Sequence, residues 1–265
     1  MKNRLIVAIV LILMLFSLSC KKKADTLPDQ ETTSQITTFA PLPSFKEVYS
    51  TLDQVQVKDI SAAVPATIYK AEQDEIRNAF SLGLLTADAV LAAKGRNKSK
   101  LNDISAQMMN LTGLLGLESE VNKLGDDMKR MIEAEDWDNL DITLDAHKAD
   151  VEKKLWESEN FDNYTLMLMG GWIEAANRIA WLINQDYSVE RTSVLVQKGT
   201  FNHLVNNLQQ IDTPHILEQE AFTKAVALTQ ELKAILDSDN NSTYTKEQIG
   251  EILAKTDAIK TAFQD

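Results

Sequence analysis

Chemistry-bearing residues are scarce in this chain of 265: one cysteine, three histidines and nine glycines. A lone cysteine cannot close a disulfide within the chain, which excludes a stapled fold. His147, His203 and His215 form neither an HExxH nor a Glu-x-x-His pattern, so no zinc or carboxylate-bridged di-iron site is expected. Glycine-rich phosphate loops are absent, and no serine sits in a G-x-S-x-G or S-x-x-K setting. No catalytic motif is left, and neither a cofactor nor a metal is expected.

Proline is also rare. None of the five occurs between Pro65 and Pro214. Apolar residues recur at three- and four-residue spacing without strand-like alternation, which predicts an all-α protein. The pattern gives a short helix at 44–55 and longer ones near 68–94, 98–115, 118–135, 137–158, 162–185, 189–209, 214–237 and 244–263. Thr213 before Pro214, and Asp136 before Trp137, read as N-caps. The connections are short, so the expected architecture is an antiparallel multi-helix bundle of about eight or nine helices. No repeat of fixed period points to a solenoid.

Basic residues are outnumbered: 27 Lys and Arg against 39 Asp and Glu give a formal charge of −12. Nucleic acid is excluded as a partner, because binding it requires cations that neutralise phosphates.

What the chain does have is an unusual start. Lys2 and Arg4 precede an apolar run, Leu5–Leu18, broken only by Ser17. At 1.5 Å rise per residue the run is shorter than the roughly 20 residues of a spanning helix, and it reads as a secretory signal peptide. It ends in Ser17-Leu18-Ser19-Cys20, followed by Lys21, Lys22 and Lys23. Those four residues resemble the lipobox of bacterial lipoproteins. The resemblance implies that Cys20 is the lipid attachment site and becomes the new N-terminus. Ser17 and Leu18 depart from the common pattern, which favours leucine at the first of these positions and a small residue at the second. Residues 1–19 are then the signal peptide, 20–43 a lipidated N-terminus and flexible tether, and 44–265 a helical domain. The tether carries Pro28, Pro41 and Pro43 and lacks periodicity. In the lipoproteins of Bacteroidota, which the relaxed lipobox resembles, the surface-export signal is an acidic cluster just after the cysteine. The lysines here favour the outer membrane on the face toward the periplasm.

Charge within apolar surroundings marks the one candidate site. Thr165–Ile183 is the most apolar stretch after the signal peptide, yet Glu174, Asn177 and Arg178 lie at its centre. Gly170 and Gly171 weaken that helix by about 1 kcal/mol each relative to alanine, a cost that makes sense under close packing by another helix. Gly83 and Ala87 offer a matching small surface, with Asp88 beside them. Unpaired buried charge costs several kcal/mol, so Asp88, Glu174, Asn177 and Arg178 are expected to form a buried polar cluster. It would either fix helix register or line a ligand pocket, and register is favoured. The carboxylates of Glu133–Asp141 lack the ligand spacing of a calcium loop and read as a solvated helix start. The methionines between 108 and 169 read as core filler.

"FSLGLLTADAVLAA", "EDWDNLDITLDAHKADVEKKL" and "LMLMGGWIEAANRIAWLI", within Phe80–Gln185, resemble a group of uncharacterised all-helical bacterial lipoproteins frequent in Bacteroidota. The resemblance implies location and helical fold, and it carries over no functional residue. The expected function is a binding or adaptor domain held on an envelope membrane by the lipid on Cys20. An envelope protein or a small ligand would be its partner. A structural or assembly-helper role comes second and an enzyme last.

Overall fold

The computed structural model describes residues 50, 52–54, 60–65, 69, 74–157 and 160–264, all within one compact unit, Thr38–Asp265. The expected signal peptide, Cys20, the expected tether and most of the expected helix at 44–55 lie outside the described residues. Among those described, the protein is an all-helical bundle with eight helices of two turns or more and no strand.

Local chemistry sets most boundaries. Helix α1, Glu75–Lys94, begins where the Asp74 carboxylate accepts the N–H groups of Ile76 (3.0 Å) and Arg77 (3.2 Å). Asn97 caps α2, Lys98–Leu114, by accepting the Lys100 N–H at 3.1 Å. The turn after α2 uses Gly116 at φ +70°, a conformation that suits glycine. Helices α3 (Glu118–Ala134) and α4 (Trp137–Glu157) follow, and Asn160 caps α5, Phe161–Gln185. A 3-10 segment, Glu190–Leu195, leads to α6, Lys198–Gln209. After a single turn at Pro214–Leu217 come α7, Glu220–Asp237, and α8, Lys246–Gln264.

Three expected helices differ from the pattern reading. The helix near 68–94 starts at Glu75, because Asp74 is extended and caps it. The span 189–209 divides into the 3-10 segment and α6, and 214–237 breaks at Glu218 and Gln219. Pro214 does stand at the first helical position, but the Thr213 side chain does not cap that turn. Its hydroxyl donates to Asp162 at the start of α5 instead.

The core is built on α1 and α5, which run parallel. Glu75 accepts from Asn160 (3.3 Å) and Asn163, Phe80 lies against Gly170, and Asp88 meets Arg178. Four reversals through α2, α3 and α4 return the chain to its first direction, so a parallel central pair is compatible with antiparallel sequential neighbours. By length and composition Glu75–Lys94 could cross a membrane, but 83% of its apolar window is buried in the protein, as befits a core helix.

Glycine sets the spacing of the pair. A Cβ on Gly83 would collide with the Met167 carbonyl oxygen and stand 2.6 Å from the Gly171 nitrogen. One on Gly170 would collide with the Phe80 carbonyl oxygen and stand 3.3 Å from the Leu84 nitrogen. Backbone therefore packs on backbone at this crossing. Antiparallel α8 completes the centre, its Phe263 ring stacked on Phe80 with centroids 4.1 Å apart. Ahead of α1, a strap of Leu52, Ile60, Ala63, Val64 and Tyr69 buries apolar side chains in the same core.

Candidate functional site

One turn beyond the glycine crossing, the charged residues of α1 and α5 face one another. Asp88, Glu174 and Asn177 are buried, and the Arg178 side chain is 12% exposed. Arg178 ties the group together. Its Nε donates to Asp88 Oδ1 at 3.3 Å, one terminal nitrogen to Asn177 Oδ1 at 3.1 Å, and the other to Glu174 Oε1. The spacing of Glu174 and Arg178, four residues along one helix, permits their pairing, and the close approach of α1 brings Asp88 to them. The four residues singled out in the sequence meet in one place.

Further members come from outside these two helices. Lys260 of α8 places Nζ 2.5 Å from Glu174 Oε2, an ion-pair contact whose angles fall outside hydrogen-bond geometry. Asn177 Nδ2 donates to Thr256 Oγ1 (2.9 Å) and to Asp257 Oδ1 (2.8 Å), also on α8. The Tyr69 hydroxyl donates to Glu174 Oε1 at 3.3 Å, while its backbone N–H donates to Gln107 Oε1 at 2.8 Å. Sequence reasoning missed Lys260, Thr256 and Tyr69. Thr256 and Lys260 lie at i+4 and i+8 from the buried Ile252, two polar positions on the apolar stripe of α8. The pattern reading places Tyr69 inside the helix near 68–94, whereas it sits in non-helical backbone ahead of α1.

Burial governs the electrostatics. Loss of hydration pushes the Asp88 carboxyl up to about 8, with Glu174 adding to the rise by its charge and by a hydrogen bond, and Arg178 and Lys260 opposing it. Asp88 therefore keeps its proton to higher pH than a hydrated carboxyl does. Burial, then Glu174, also raises the Tyr69 hydroxyl, which keeps it a donor. The Arg178 guanidinium loses hydration too, but Glu174 and Asp88 more than compensate and hold it charged.

Elsewhere the structure ties up the remaining candidates. The α7–α8 turn spaces Asp237, Asp239 and Asn241 at alternate positions, like the first ligands of a calcium loop. Lys233 pairs with Asp237 and Lys198 with Asp239, however, and Gln248 stands where such a loop needs a carboxylate. Gln248 instead accepts the Thr245 N–H at 2.8 Å, starting α8. Among the described residues no three His, Cys, Asp or Glu side chains are placed to hold a metal. His203 and His215 are exposed. In the Glu133–Asp141 stretch, α3 ends and α4 begins, with Glu133, Glu135, Asp136 and Asp138 exposed. Met128, Met167 and Met169 fill the core, while Met109 is exposed.

No protein-family model matches the chain, and neither does any curated protein or solved structure.

Proposed function

We propose that the chain is an envelope lipoprotein whose helical domain acts without catalysis, as a binding or adaptor module held at the outer membrane through Cys20. One observation carries the domain's part of this reading. The group best equipped for acid–base chemistry is enclosed where α1, α5 and α8 meet, and its charges are paired with one another. Such an arrangement supports register and rigidity, leaving the outer surface to meet a partner. The lipobox-like residues at 17–20 and the resemblance to helical lipoproteins support the anchor. The acidic surface supports an attachment that depends on acyl chains and on Lys21–Lys23.

The test labels cells of a bacterial host with an alkyne fatty acid and follows the full chain and Cys20→Ala. The anchor requires label and membrane partition in the first and loss of both in the second. Photo-crosslinkers placed at Ile142 and Leu217, which are 68% and 48% exposed, then probe the domain in the intact envelope of the source cells. A discrete adduct that depends on Cys20 supports an adaptor, and the absence of any adduct at either position counts against it.

A further inference from the structure

The methionines are unevenly placed. Six of the eight lie between residues 108 and 169, and four of those sit on two adjacent helices, Met108 and Met109 on α2 and Met128 and Met131 on α3. The charged junction of α1, α5 and α8 uses none of them. Their access to solvent is graded. Met109 is 43% exposed, Met108 and Met131 are half-buried against the core, and Met128 is buried, as are Met167 and Met169 on α5.

Helix α3 lies outside the central group. Among the described residues it packs chiefly on α2 and α4, its neighbours in sequence, and no side-chain bond caps its start at Leu117. The chain enters it from Gly116 and leaves it through Glu135, both at positive φ. One of its ties to α4 runs through sulfur, with the Thr143 hydroxyl donating to Met131 Sδ at 3.4 Å.

A thioether reacts with a hydroperoxide by attack of sulfur on the outer peroxide oxygen. The O–O bond breaks, the oxygen stays on sulfur as a sulfoxide, and the rest of the peroxide takes up the proton and leaves as water or an alcohol. Sulfur loses two electrons and the peroxide gains them. The sulfoxide is polar where the thioether was apolar. On Met109 it faces solvent. On Met131 it sets an oxygen beside the Thr143 hydroxyl and a strong dipole against the core. Access orders the two events, since a half-buried sulfur must wait for local opening.

We propose that α2 and α3 form a two-step methionine modification site for hydroperoxides. Met109 takes the first oxygen with the fold unchanged, and Met131 takes a later one that releases α3 from α4. Neither the lipid anchor nor an adaptor role is needed for it.

Hydrogen peroxide applied to the full-length chain at neutral pH, with each sulfoxide located by tandem mass spectrometry, tests the site. Met109 should oxidise roughly tenfold or more faster than Met167 and Met169, with Met131 between them, and this order should vanish in urea. Amide hydrogen exchange should be unchanged while Met109 alone is oxidised, and it should quicken along α3 once Met131 is. In Met131→Leu, which keeps the volume of the side chain, Met109 should still oxidise but exchange in α3 should no longer respond. Equal rates at all these sulfurs in the folded chain, a Met131 sulfoxide that leaves α3 unchanged, or an α3 response retained in Met131→Leu overturns the proposal.

Discussion

Arg178 ties the two buried carboxyls together, because both bond to it. Removing one partner from a buried ion pair costs about 3–5 kcal/mol, mostly as the penalty on the charge left behind. Arg178→Met should therefore unfold in urea with a loss of that size. Asp88→Asn should cost little at pH 6, where the carboxyl is already protonated. As the pH rises from 5 to 8, the wild type should lose global stability at up to about 1.4 kcal/mol per unit. Asp88→Asn should not share that slope, and urea titrations at three pH values would decide it. How far this site could be read from sequence depended on residue type. Asp88, Glu174, Asn177 and Arg178 stood out as polar groups in apolar helices. Lys260 was less visible, since an isolated lysine on a helix usually faces water and its long stem disguises a buried position. Tyr69 was invisible, since its place depends on a tertiary contact spanning 105 residues.

Among the elements, the α1–α5 crossing decides whether the bundle assembles. A methyl group at Gly83 or Gly170 meets carbonyl oxygens of the opposite backbone, which no rotamer change can move aside. Gly83→Ala and Gly170→Ala should each cost about 1–3 kcal/mol or more, the range for an overpacked core. Gly250 on α8 supplies the contrast, with nothing within 4 Å of an added Cβ. Gly250→Ala should stabilise by up to about 1 kcal/mol through helix propensity alone. Thermal midpoints of the three variants would check the pair of expectations, and a stable Gly83→Ala would refute the close crossing. The legible helices were those closed by local chemistry, such as α2 behind Asn97 and α5 behind Asn160. The breaks at 196–197 and 218–219 carry no proline or glycine, so a helical period ran through them unmarked. Thr213 shows the same limit. It has the residue type of a cap, but Asp162 takes its hydroxyl.

For the molecule as a whole, charge and the proposed anchor would pull in opposite directions. The first 37 residues hold five basic and three acidic side chains, so the unit Thr38–Asp265 carries a formal charge of −14. An anionic bilayer should repel that unit, so attachment would rest on the proposed lipid and on Lys21–Lys23 ahead of it. The described core draws its packing from within the unit, so the fragment 38–265 should fold alone. An unfolding free energy within about 0.5 kcal/mol of that of the Cys20→Ala chain lacking residues 1–19 would show that residues 20–37 add nothing to it. In flotation assays the fragment should stay off vesicles of anionic lipid. The unacylated chain with Lys21–Lys23 should bind weakly at low ionic strength and release as salt shortens the screening length. The acylated chain should stay bound at high salt, because two or more acyl chains hold by burial of methylenes. Binding of the bare fragment to anionic vesicles would show that the helical domain has a membrane surface of its own, and the tether would then cease to be the sole attachment.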